Sequence, residues 1–307
     1  MDSIFITGAS GCVGHYLVDQ LSPDYHLYLL VRNPDRLKFN PSERKNITII
    51  QGDLEYISEQ TELLRKMDYC IHVATVWGGE QTERINVQRS HELFNLLNPE
   101  KVKRVIYFST ASIIDRNLRA LKEAEEFGTK YIRTKYRCYN KLPESRIAER
   151  IVTVFPTLVF GGNEKHPYSH LTKALPIVKK YSWLLGRISI EARFHFIHAH
   201  DIAAIVRYLI EVPEVEANYV LGNEAITLGE FTRKVAKYFG YKIGWQLRLK
   251  PQTIYRLAKL FRAEISEWDK FCLKHCDFSY PVTNCHSLGI KTEYGSIEEI
   301  LSKWETT

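Results

Sequence analysis

Tyr131 and Lys135 stand four residues apart in Tyr131-Ile132-Arg133-Thr134-Lys135. On a helix that spacing puts the phenol and the ammonium on one face. An ammonium beside a phenol favours phenolate and lowers the phenol's pKa, so the pair reads as an acid/base usable near neutrality. The same spacing recurs at Tyr238 and Lys242 and at Tyr255 and Lys259. Only the first pair follows a buried strand and its turn, Ser109-Thr110-Ala111-Ser112, so position selects it.

A second constellation opens the chain. The apolar run Ile4-Phe5-Ile6 breaks into Thr7-Gly8-Ala9-Ser10-Gly11-Cys12-Val13-Gly14, and Tyr16 to Leu21 reads as the start of a helix. Strand, glycine turn and helix make the geometry that holds a pyrophosphate. Glycines let the backbone approach phosphate oxygens, and the new helix offers free N–H groups and the positive end of its dipole. Taken alone, the stretch also fits a glycine-rich turn in any α/β domain.

The elements that must position these residues follow in order. His26 to Val31 reads as a second strand, ending on Arg32-Asn33-Pro34. In a dinucleotide fold the residue at the end of that strand meets the adenosine ribose, and an Arg there suits the 2′-phosphate of NADP. Arg32 is thus the expected partner of that phosphate, with Arg36 assisting; otherwise it is a solvated loop cation. Ile47 to Ile50 is a third strand, followed by Gly52-Asp53-Leu54. Asp53 reads either as a helix N-cap or as an acceptor for the adenine amino group.

Glu59 to Met67 reads as a helix, and Tyr69 to Ala74 as a fourth strand running into Thr75-Val76-Trp77-Gly78-Gly79. Small residues at its end leave room for a cofactor across the sheet edge. His72, inside the strand, reads as a core histidine. A helix over Glu83 to Leu97, a fifth strand ending at Phe108 and a sixth over Ile151 to Phe155 complete the alternation. The stretch Phe194 to Ala203 reads as opening a further helix that runs through Ile210, Tyr219 to Asn223 as a late strand, and Thr227 as the N-cap of a helix from Leu228.

The 307-residue chain is 45% hydrophobic and 25% charged, as expected of a globular protein that buries a large core. No apolar run is long enough to span a membrane. The chain passes from Met1 straight into a strand, which leaves no room for a signal peptide and implies a cytoplasmic setting. Six scattered cysteines suit a reducing compartment. Cys272, His275, Cys276, Cys285 and His286 cluster, but their spacing matches no zinc pattern and no metal is expected. A net charge of +6 favours an anionic cofactor or substrate, without a basic tract that would argue for nucleic acid.

With these pieces in place the chain resembles the extended short-chain dehydrogenase/reductase family, which includes nucleotide-sugar epimerases and dehydratases. The resemblance rests on the glycine turn at 7–14, Gly52-Asp53-Leu54, His72-Val73-Ala74, Asn86-Val87, Ser109 to Ser112 and Tyr131 to Lys135. It continues through Pro156 to Gly161 and Phe196 to Ala203, all in family order over about residues 1–225. It implies a doubly wound parallel sheet, the Rossmann arrangement, with a smaller, mostly C-terminal substrate lobe. The dinucleotide domain would span 1–161 and 189–226, and the lobe 162–188 and 227–307.

By resemblance, Tyr131 is the catalytic acid/base, Lys135 binds the nicotinamide ribose and tunes Tyr131, and Thr110 orients the substrate oxygen. Ser109 and Ser112 are alternatives to Thr110. The cofactor positions are Gly8, Ser10, Gly11, Cys12, Val13, Gly14, Arg32, Asp53, Leu54, Val73, Ala74, Thr75, Asn86 and Pro156, joined by Tyr131 and Lys135. NADP is expected, with NAD as the alternative, alongside a small-molecule substrate.

The implied function is hydride transfer between nicotinamide and a carbonyl or alcohol. The alternatives are epimerase or dehydratase chemistry and a non-catalytic dinucleotide sensor. There are departures from the family pattern. Ile114-Asp115 stand where a Tyr-Gly is common, and Phe155 stands where Arg often precedes the proline. Pro143 cuts the helix after Lys135, which shortens the usual dimer interface and leaves a monomer or a homodimer. The aromatic and apolar residues Tyr255, Leu257, Leu260, Phe261 and Trp268 are expected on helices between Pro251 and Lys274, as core or pocket lining.

Overall fold

Strand β1 (Ser3–Thr7) lies inside a seven-stranded, all-parallel sheet. The computed structural model describes residues 1–250, 253 and 265–305. Beside β1 run β2 (His26–Val31) and then β3 (Ile47–Gln51). On its other side run β4 (Tyr69–His72), β5 (Arg104–Phe108), β6 (Ile151–Pro156) and, at the edge, Asn218–Leu221. Ile4 aligns with Leu27 on one side and Tyr69 on the other. The order reverses between β1 and β4, and a ligand crevice opens at such a switch point, outside the carboxyl ends of the strands.

Both faces of the sheet are covered, which is why its strands read as near-continuous apolar runs. Ile4 and Ile6 face a core with α1 (Cys12–Leu21) and the helix Ala199–Glu211. Phe5 faces the opposite core with Leu54, Ile57, Leu93, Phe94 and Tyr107. The seven strand expectations agree with the structure to within two or three residues at their ends.

Helical expectations needed more revision. The segment expected as one helix from Glu83 opens as a wide π turn, Arg84–Arg89, before the helix Ser90–Leu96. The stretch after Asp53 is a tight 3₁₀ run, Leu54–Gln60, followed by only four α-helical residues, Thr61–Leu64. Tyr131 and Lys135 lie on the helix Lys130–Lys141, capped by Thr129, and Pro143 sits in the 3₁₀ turn that ends it.

Thr227 caps the helix Leu228–Tyr238 through a reciprocal capping box with Glu230. Lys242 lies beyond that helix, so Tyr238 and Lys242 do not share a helical face. Tyr255, Leu257, Lys259, Leu260 and Phe261 lie outside the described residues. Trp268 is buried on the helix Glu267–His275 against Ile113, Ile132 and Phe155.

A further hydrophobic cluster joins the helices His170–Leu185, Leu228–Tyr238 and Ile297–Glu305 through Leu175, Val235, Ile297, Ile300 and Leu301. Phe160 and Phe196, from the short paired strands Leu158–Phe160 and Phe196–His198, join this cluster to the body of the sheet.

Candidate active site

The glycine turn is shaped by side chains it lacks. Gly8 has φ +80, and a Cβ there would lie 2.7 Å from the Ala74 amide nitrogen. A Cβ on Gly14 would lie 2.2 Å from the Gly8 carbonyl oxygen, and one on Gly11 3.3 Å from it. These contacts press the turn against the end of β4 and draw α1 close to β1. Gly11 is the N-cap of α1; it supplies no side-chain hydrogen bond, and the first turn carries no acidic residue. The first N–H groups of α1 therefore have neither a side-chain cap nor a local counter-charge. This is the donor set a pyrophosphate requires, so the residues present fit a dinucleotide.

The expected cofactor positions fall along one edge, at the carboxyl ends of β1 to β6. Ser10 is half-buried and Val13 packs on the core. Cys12 lies under Gly161, where a Cβ would come 3.0 Å from its Sγ, and burial pushes its thiol up to about 12. It is an inert neutral thiol at this edge. Arg32 projects into solvent at the end of β2 and lies 3.8 Å from Asp53. Asp53 caps the following turn through the Glu55 N–H at 3.0 Å. Leu54 is buried beneath it. The Val73 and Ala74 amides donate to the Thr7 carbonyl and hydroxyl, both at 3.2 Å, and extend the sheet into the crevice. Pro156 ends β6.

Asn86 links two elements of the site. Its Oδ1 accepts from the Val76 amide at 2.8 Å and the Thr75 hydroxyl at 3.2 Å. Its Nδ2 donates to the Val76 carbonyl at 2.8 Å and to the Thr134 hydroxyl at 3.0 Å. The amide is fully spent on tying the loop after β4 to the helix that carries Tyr131 and Lys135. His72 is a satisfied core histidine: Nδ1 meets Thr7 at 2.7 Å and Nε2 meets Ser90 at 2.8 Å, and burial lowers its pKa to about 3.

The acid/base pair departs from the simple picture. The Tyr131 phenol is pushed up by burial and drawn partly back by a hydrogen bond with Thr110. Lys135 is buried, and its Nζ donates to the Phe108 carbonyl at 2.6 Å while lying 4.9 Å from the centre of the Tyr107 ring. Burial lowers its pKa to about 8. The sequence predicts a phenol depressed by its lysine; here desolvation dominates, and the ammonium is anchored on the end of β5. Thr110 is half-buried beside the phenol, whereas Ser109 is turned into the core with its hydroxyl lacking a partner among the described residues. Ser112 donates its amide to Thr110 and closes the turn.

Trp77 is the residue the sequence reading passes over. Its indole stacks on Tyr131 at 4.3 Å, with His170 edge-on to it at 5.2 Å, and it remains 60% exposed. The signal available in the sequence is a bulky aromatic directly before Gly78-Gly79, at the carboxyl end of a buried strand. Tyr280 closes the other side, its hydroxyl donating to the Ala111 carbonyl at 3.1 Å. Among the described residues no cluster of His, Cys, Asp and Glu could hold a metal.

Comparison with known proteins bears on the fold and the family. The apple (Malus domestica) bifunctional dihydroflavonol 4-reductase/flavanone 4-reductase is 23% identical over 275 residues, covering 79% of this chain and 78% of that protein. The terminal R domain of the myxalamid PKS-NRPS pathway superposes with a TM-score of 0.72 at 18% identity, covering 100% of this chain and 90% of that one. The dTDP-glucose 4,6-dehydratase of Bacillus anthracis, solved with NAD, gives 0.65 at 12% identity, covering 100% of this chain and 97% of that one. Residues 4–222 match the NAD dependent epimerase/dehydratase family. The chain belongs to that family, and it is an NAD(P)-dependent enzyme of oxidoreductase type in the extended short-chain dehydrogenase/reductase class.

Proposed function

We propose that the chain is an NADP-dependent oxidoreductase acting on a small carbonyl or alcohol substrate. The observation that carries this reading is Tyr131, a half-buried phenol stacked on Trp77 and beside Thr110, at the sheet edge that also carries the uncapped glycine turn. A protonated phenol held there is a proton donor for a carbonyl oxygen, and Thr110 orients that oxygen. Nicotinamide, when bound, supplies or accepts the hydride. Lys135 binds the ribose, and Arg32 receives the 2′-phosphate. Residues 1–161 and 189–226 hold the dinucleotide, and 162–188 with 227–307 form the substrate lobe. The six cysteines are free thiols, in keeping with a cytoplasmic setting.

Epimerase or dehydratase chemistry is the second reading, favoured by the family's name and its NAD-bound structural relatives. Loss of water calls for an acid beside the leaving hydroxyl. The nearest acid after Thr110 in sequence, Asp115, spends its Oδ1 on the Asn117 and Arg119 amides at 2.8 and 2.9 Å. That favours redox turnover. The test is a panel of carbonyls and nucleotide sugars offered with NADPH. The oxidoreductase consumes NADPH in step with product; a sugar converted with no net change in absorbance overturns the redox reading in favour of the second.

A further inference from the structure

Away from the crevice, the far end of the helix His170–Leu185 carries exposed apolar side chains. Ile177, Tyr181 and Leu184 repeat at helical spacing on one face, and Ile177 is 64% exposed. Trp183 is exposed beside them. The short strand Leu247–Arg248 pairs with Ile188–Ser189 just past the end of this helix, and the Leu247 amide donates to the Arg187 carbonyl at 2.7 Å. Gln246 donates to the Gly186 and Gly229 carbonyls at 3.0 and 2.9 Å. These bonds pin a loop whose neighbouring side chains, Trp245 at 69% exposure and Leu247 at 55%, point to solvent. Two indoles, a phenol and three aliphatic chains thus share one part of the surface.

The two stretches of sequence that carry them are cationic. Between Glu164 and Glu191 the chain has no acid and five cations: Lys165, Lys173, Lys179, Lys180 and Arg187. From Phe231 to Lys250 it again has no acid and six cations, with Arg233, Lys237, Lys242 and Arg248 exposed. Ion pairs with Glu305, Glu298 and Glu191 engage Lys179, Lys234 and Arg248 and leave the surplus in place. Exposed Trp, Tyr and Leu ringed by Lys and Arg is the composition of a surface that rests in a lipid interface, apolar groups among acyl chains and cations on anionic headgroups. Two copies of so basic a face repel each other, which argues against a self-association surface. A polyanion such as duplex DNA would use the cations and leave the indoles idle.

We propose that this face, built from the end of His170–Leu185 and the 241–248 loop, docks the protein peripherally on an anionic lipid bilayer. No helix among the described residues is long and apolar enough to cross a membrane, so docking is by the surface alone. The docking face lies at the far end of a helix whose first residue, His170, packs on Trp77 over the candidate site.

The test uses the full chain with vesicles. Phosphatidylcholine vesicles containing phosphatidylglycerol should sediment it at low salt, and pure phosphatidylcholine should not. Added salt should weaken the binding. Tryptophan emission should shift to the blue and be quenched by brominated lipid. The pairs Trp183→Ser/Trp245→Ser and Lys180→Glu/Lys242→Glu should each lower partitioning by ~10-fold or more. Their circular dichroism and turnover of a water-soluble substrate should stay unchanged.

Failure to sediment with the anionic vesicles overturns the proposal. So does equal binding to duplex DNA without the emission shift, or a dimer in free solution that the same variants dissociate. Indoles already shielded from acrylamide without vesicles would show that the face is covered by the chain itself, and would overturn it too.

Discussion

The glycine turn and the Tyr131 helix share one sheet edge but are built by opposite means. In the turn, shape comes from missing side chains: at Gly8 and Gly14 backbone atoms occupy the space of a Cβ. On the helix, the proposed chemistry rests on side chains kept at a cost, a half-buried phenol and a buried ammonium. The first region has almost no freedom to vary without losing its shape. The second can be altered atom by atom, so its chemistry can be separated from its stability. Variants that affect binding, turnover and stability differently will test that division.

The largest effect should come from Tyr131→Phe, which removes one hydroxyl and keeps the ring that stacks on Trp77. Turnover should fall ~10²–10⁴-fold with cofactor affinity little changed. Calorimetry and steady-state kinetics on one substrate decide it. Full turnover in the variant would remove Tyr131 from the chemistry.

Lys135→Met should separate stability from function. The lysine's folded-state value, about 8, lies below its ordinary 10.5, so the native state disfavours its charged form. That penalty is complete below about 8 and disappears as pH rises to 10.5. At neutral pH, removing the charge should stabilise the fold by up to roughly 3 kcal/mol, less whatever the Phe108 hydrogen bond returns. Cofactor binding should weaken at the same time. Denaturant melts across pH give a second reading: the unaltered protein should gain stability between about pH 8 and 10.5, and the variant should not. Equal slopes would mean that Lys135 is not held as a buried cation.

Gly8→Ala should act on the other region. With φ +80 and a backbone nitrogen at 2.7 Å, the new methyl must push the turn away from β4. The expected cost is ~1–3 kcal/mol of stability together with a loss of dinucleotide affinity. A variant that bound the cofactor normally would show that the turn has slack the distances do not suggest.

The same division decides what could be read from sequence. Strand-forming apolar runs and glycines where side chains cannot fit are local properties, so all seven strands and the turn are legible. What Asn86 bonds to is set by where two other elements end, whereas the family resemblance implied a cofactor ligand. The direction of the Lys135 ammonium depends on the Phe108 carbonyl, 27 residues earlier in the chain. Trp77 stacks on Tyr131 from a loop that Asn86, ten residues on, holds through the Val76 amide. The three-residue strands Leu158–Phe160 and Phe196–His198 are too short for a period to show.

The smallest expected effect concerns Arg32, which belongs to neither extreme. Its guanidinium is 68% exposed and 3.8 Å from Asp53, so water and a carboxylate already compete for it. A 2′-phosphate would have to share the cation with Asp53, and an exposed charge pair is worth little. Arg32→Ala should therefore narrow the preference for NADP over NAD by only about 1 kcal/mol, roughly fivefold in relative affinity. Asp53→Asn keeps a capping oxygen for the Glu55 amide and removes the competing charge, so it should widen the same preference. Opposite movements in the two variants, measured by calorimetry with both dinucleotides, would place Arg32 on the phosphate. Equal affinities in the unaltered protein, unmoved by either change, would leave Arg32 as a loop cation whose partner is Asp53.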